Sequence, residues 1–127
     1  KNPKTKNAAI LTGCKNISDI RYIDENTLEA LDWGVSFKFS ETLPKGLSSV
    51  GIRAHDFHPV WGKSEGNIFD FRLKSKAKLP FEDNYYIKTC GVQDITWLVQ
   101  RDMKELIEKK GLPDFLKVDE KDILLLK

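Results

Sequence analysis

The segment from Asn67 to Leu79 constrains the fold more than any other. Phe69, Phe71 and Leu73 recur at every second position, Asp70, Arg72 and Lys74 stand between them, and Lys76 and Lys78 continue the polar series. Successive side chains of an extended chain point to opposite faces, so this pattern predicts a strand with aromatics on a core and bases in water. Trp33, Val35, Phe37 and Phe39 repeat the alternation against Ser36 and Lys38, and Tyr85 and Ile87 do so against Tyr86 and Lys88 within a strand at Tyr85–Cys90. Shorter strands are expected at Ala8–Leu11, Ile20–Ile23, Leu47–Arg53 and Ile123–Leu126, the last buried on both faces if it sits mid-sheet. Pro44 and Gly46 mark a turn that would make Trp33–Phe39 and Leu47–Arg53 a hairpin. Thr27–Leu31 reads as one helical turn.

One stretch reads as a helix. Ile95, Leu98, Val99, Met103, Leu106 and Ile107 recur at three- and four-residue steps behind Asp94, a suitable N-cap. Lys109 and Lys110 suit the negative end of the helix, Gly111 its left-handed stop, and Pro113 forbids continuation. Trp97 falls off the apolar stripe, so it is expected to be partly exposed and to mark a partner surface. The expected fold is α+β: a mostly antiparallel sheet of five to six strands, packed on one face by the helix at about 95–110. A chain of 127 residues is one domain, taken as residues 8–127 after a flexible basic tail at 1–7. Its 40% apolar and 31% charged content is that of a folded globular chain.

No apolar run approaches the ~18 residues of a membrane span, and the N-terminus lacks the apolar core of a signal peptide. The chain opens on Lys1 rather than Met, as a piece of a longer protein would. Its two cysteines, Cys14 and Cys90, are too few for a disulfide scaffold. They read as reduced thiols, with a single bridge left open.

Net charge is only +2, but it is unevenly spread: Asp19–Asp32 holds five acids and one base, Arg72–Lys78 four bases and no acid. A basic ladder on one strand face can follow a phosphate backbone. It can equally be a solvated edge strand, where lysine blocks sheet-to-sheet aggregation. Both histidines, His55 and His58, lie in the loop Ala54–Gly66 beside Arg53, Asp56 and Trp61. Two imidazoles could divide the acid and base roles in cleaving RNA, one taking the 2′-hydroxyl proton and the other protonating the leaving oxygen. Arg72, Lys74 or Lys88 would then steady charge on the phosphorane. The plainer account is a polar loop whose histidines cap local turns. A zinc site is disfavoured, since His55, His58 and Asp56 have no second ligand cluster. Phosphate-loop, dinucleotide and nucleophile-elbow motifs are absent.

The stretch His58–Lys74, with its Gly-bearing loop and a strand carrying Arg72, resembles the central segment of the RelE/HigB-type ribonuclease toxins. Tyr85-Tyr86-Ile87-Lys88 stands where that family has its next, basic strand. The resemblance implies that Arg72 and Lys88 approach an RNA phosphate. A wider relation, to the barnase/EndoU/colicin/RelE group, would fit a toxin delivered as the C-terminal part of a larger protein and acting in the cytoplasm. The family enters this segment from a helical hairpin and leaves it into a strand, whereas here Trp33–Arg53 reads as strands and Asp94–Lys110 as helix.

The leading expectation is therefore a metal-independent, cofactor-free ribonuclease acting on tRNA or mRNA. His55, His58, Arg72 and Lys88 would be catalytic, and Arg53, Lys63, Lys74, Lys76 and Lys78 would bind the nucleic acid. A cognate inhibitor protein would be a natural partner. The alternatives are a non-enzymatic interaction module, such as an immunity or adaptor protein, and nucleic-acid binding without cleavage. An enzyme should gather the histidines, Arg72 and Lys88 around one cleft; a binding module should leave them scattered.

Overall fold

The computed structural model describes residues 3–127 and has an α+β architecture dominated by short antiparallel strands. In chain order these are α1 (Lys6–Leu11), β1 (Asn16–Asp24), β2 (Thr27–Ala30), β3 (Val35–Lys38), β4 (Ser49–Ile52), β5 (His58–Val60), β6 (Ile68–Phe69), β7 (Arg72–Lys78), β8 (Glu82–Lys88), β9 (Ile95–Gln100), α2 (Arg101–Lys110), β10 (Phe115–Lys117) and β11 (Ile123–Leu126). They form a five-stranded sheet ordered β11-β4-β1-β2-β3 and two three-stranded sheets, β5-β10-β6 and β7-β8-β9. The expected single sheet is thus divided into three. No helix of the described residues is long and apolar enough to cross a membrane.

The alternation in Trp33–Phe39 holds: Trp33, Val35, Phe37 and Phe39 are all buried. They join Ile52, Phe57, Ile87, Ile95, Trp97, Val99 and Leu116 in one core. Edge-to-face contacts of Trp97 with Phe71 and Tyr85, at 6.0 and 5.2 Å, form the part of that core contributed by the β7-β8-β9 sheet and its approach. A second, smaller cluster sits under α1, where Ala9 and Cys14 cover Leu124 and Leu126. Ile123 belongs to the main core. The final strand therefore has buried residues on both faces, but it lies at a sheet edge rather than mid-sheet, and α1 and the main core cover its two faces.

Several expectations fail for identifiable reasons. Residues 8–11 are helical, because Thr5 caps the Ala8 N–H at 3.1 Å and the alanines favour a helix. That helix also takes in Lys6 and Asn7 from the expected tail, whose Lys1 and Asn2 lie outside the described residues. Thr27–Ala30 is a strand rather than a helical turn, since it pairs with β3 in unbroken register and with β1 across a register shift between Tyr22 and Asp24. The Leu47–Arg53 strand exists as β4, but it pairs with β1 and β11 and makes no hairpin with β3.

The helix starts only at Arg101. Ile95–Gln100 is a strand in which Ile95, Trp97 and Val99 are buried and the residues between them are not. Both periods fit this stretch, and pairing with β8 decides for the extended one. Trp97 is consequently fully buried, not a surface marker.

Two asparagines join the sheets. The buried Asn16 side chain accepts from the Thr96 N–H (2.7 Å) and donates to the carbonyls of Thr96 (2.8 Å) and Ile52 (3.1 Å). It thereby occupies the free edge of β9. Asn67 does the same for β3, accepting from the Lys38 N–H (2.8 Å) and donating to its carbonyl (3.0 Å).

Candidate functional site

The basic series of β7 does not form one ladder. Leu73 lies opposite Ile87, but Ser75 lies opposite Tyr86, so Lys74 is an extra residue in a bulge. Beyond it the faces exchange. Lys76 and Lys78 stand opposite Tyr85 and Asp83, on the face that Leu73 and Ile87 share. Arg72 stands opposite Lys88 on the other face. The Lys76 ammonium lies 5.6 Å from the centre of the Tyr85 ring. A phosphate backbone following either face would meet only part of the expected series.

Arg72 and Lys88 do come together, and they line a hollow of about 550 Å³ with Asp70, Phe71 and the loop Thr89–Val92. Asp94, the expected helix cap, instead binds Lys74 (2.8 Å) and Lys88 (3.3 Å). Those ammonium groups, Lys74 first, hold the Asp94 carboxyl below the ordinary carboxylate range. Two of the cations at this end of β7 therefore share one anion.

The wall of this hollow is firmly built. Gly91 N–H donates to the Trp33 carbonyl (2.8 Å), Gln93 N–H to that of Asp32 (2.9 Å), and the Trp33 indole to the Gln93 side chain (3.0 Å). The Thr89 hydroxyl also donates to the Trp33 carbonyl. A Cβ at Gly91 would stand 2.2 Å from the Asp32 carbonyl oxygen, so only glycine allows this approach. The loop holds Val92 out at 86% exposure and leaves the free thiol of Cys90 exposed. Cys14, also free, is buried beneath α1, and that burial raises its thiol pKa.

The histidines are elsewhere. Arg53 and His55 line a second hollow, of about 280 Å³, with Lys15, Leu79, Glu82, Asn84 and Leu98. His55 Nε2 lies 3.6 Å from Asp56 Oδ1. Asn84, which lines this hollow, and Lys88, which lines the first, stand four residues apart on β8, about 13 Å along an extended strand. His58 lines neither hollow. It pairs with Lys117 across β5 and β10, and its ring comes within 4.8 Å of the carboxylates of Asp119 and Asp122. These three groups could offer three donors to a cation; a closed zinc site uses four. Lys63 is exposed on the loop between β5 and β6. Trp61, beside it, is anchored on the end of α2, donating to the Gly111 carbonyl at 3.0 Å with the Lys110 ammonium over its ring.

The structure therefore brings together Arg72, Lys74 and Lys88, and separately Arg53 and His55, and it joins neither set to His58. Residues that the sequence did not flag complete the picture: Asp94 as the shared anion, the Gly91 loop as a rigid wall, and the hairpin tip carrying Leu79 and Phe81. Phe81 is 77% exposed. Its place between two strand signals, next to Pro80, was the available clue. No protein-family model matches the chain, and no curated protein matches it.

Proposed function

We propose that this chain is a non-enzymatic protein-interaction module, the reading in which its charged and apolar surface groups serve recognition. The observation that carries it is the dispersal of the acid–base candidates. A phosphodiester seated against Arg72 and Lys88 has neither histidine beside it, and His55 and His58 have separate neighbours. Geometry precedes pKa in judging a general acid or base, and here the reach is lacking. Electrostatics point the same way. The bulge splits the bases of β7 between two faces, and Asp94 binds Lys74 and, from β8, Lys88, so nucleic acid finds no continuous track. Large apolar groups held outward on rigid supports, Val92 on its fastened loop and Phe81 on a hairpin, suit contact with another protein.

The test is incubation of the purified chain with total RNA and with tRNA. The RNA is expected to stay intact, with His55→Ala and His58→Ala indistinguishable from the parent. Cleavage that disappears in Arg72→Ala or Lys88→Ala would replace this reading with the ribonuclease one.

A further inference from the structure

We propose that the outer edge of β7 is a docking edge that accepts an extended, strongly acidic segment of a partner protein as an added strand. This rests on the interaction-module reading and names where the partner binds and what it is made of. Among the described residues, β7 pairs with β8 on one side, and its backbone makes no hydrogen bond on the other. At seven residues it is long enough to template a strand.

The register shows which groups are on offer. Leu79 N–H donates to the Glu82 carbonyl at 2.9 Å, which makes these two the bonded pair that closes the hairpin. Bonded and non-bonded pairs alternate along an antiparallel ladder. Ala77–Asn84 and Ser75–Tyr86 are then bonded pairs, while Lys76 and Lys78 turn their N–H and C=O groups outward.

Charge selects the occupant. The edge carries Arg72, Lys74, Lys76 and Lys78 and no acid, which disfavours a second copy of the chain, because two such edges side by side would repel. The bulge that breaks the ladder for a nucleic acid sharpens it for a peptide. Arg72 projects from one face and Lys76 and Lys78, past the bulge, from the other, while Lys74 is held by Asp94, so an added strand that spans the bulge with acids at successive positions meets cations above and below the sheet. A strand with acids only at alternate positions satisfies one face. Phe81, at the end toward which β7 runs, offers an apolar contact where the added strand leaves.

The experiment uses the full chain and three probes: an extended peptide with four successive glutamates flanked by Val and Thr, a peptide of the same composition with the glutamates at alternate positions, and a uridine oligomer. The readout is amide hydrogen exchange at Lys76 and Lys78. The successive-acid peptide is expected to bind tightest and to slow exchange at both amides. Lys76→Pro removes one outward donor without touching the ladder to β8, and it should weaken binding about fivefold beyond Lys76→Ala. The pair Lys76→Glu and Lys78→Glu keeps the backbone and should weaken it about tenfold or more. Absence of protection, equal binding of the two peptides, tighter binding of the uridine oligomer, or self-association through this edge would overturn the proposal. RNA cleavage would sink the module reading itself; intact RNA without edge protection would sink only this inference.

Discussion

β7 and β9 flank the same strand, β8, yet their outer edges are treated in opposite ways. The edge of β9 is taken up by the Asn16 amide at Thr96 and by the Ala54 carbonyl, which accepts from the Leu98 N–H at 2.8 Å. Its inward residues, Ile95, Trp97 and Val99, are buried. The edge of β7 carries lysines and, among the described residues, no partner strand. One edge of this small sheet is committed to holding the domain together, and the other is kept available, with charge guarding it against indiscriminate pairing.

If that contrast is right, damage should be large on one side and slight on the other. Asn16→Ala strands buried N–H and C=O groups at Thr96 and Ile52 together, and it should lower unfolding stability by about 3 kcal/mol. Urea denaturation checks this, and a loss well under 1 kcal/mol would break the comparison. Asn67→Ala, at the more exposed junction on β3, should lower stability by about 1 kcal/mol.

Asp94→Asn, beside the open edge, should have the smallest effect. Its carboxyl is held below the ordinary range by Lys74 and Lys88, so its stabilisation is present above the unfolded-state value and lost as pH falls through the folded one. Parent and variant should therefore differ slightly at neutral pH and converge in acid, as thermal unfolding across the acid range would record. A gap that widened in acid would contradict the assignment.

The alternating stretches were legible because burial on one face is a local pattern. Phe69 is buried and Phe71 and Leu73 pack against the core, as their spacing indicates. Ile95–Gln100 was misleading because Ile95, Leu98 and Val99 satisfy a helical period while Ile95, Trp97 and Val99 satisfy an extended one, and only the neighbouring strand selects between them. The candidate site was less legible still. A single inserted residue, Lys74, reverses the facing of Lys76 and Lys78, and nothing in the local sequence announces it. The histidines, three positions apart in the chain, have unrelated neighbours, because β5 carries His58 to Lys117 while His55 stays with Arg53. Arg72 and Lys88 meet because β7 lies beside β8, with both side chains on the polar faces that the alternation had assigned them.

The placement of β4 has a consequence for how the molecule is made. Residues 49–52 are zipped on one flank to β1 and on the other to β11, which arrives more than seventy residues later in the chain. While a ribosome is still adding those residues, Val50 and Ile52 lack half their shelter, and the Ala9–Cys14 cluster lacks Leu124 and Leu126. Such distant pairing is slow to form, because a long loop must close before its contacts are made. The sheet is therefore complete only once residues 123–126 have emerged and found β4.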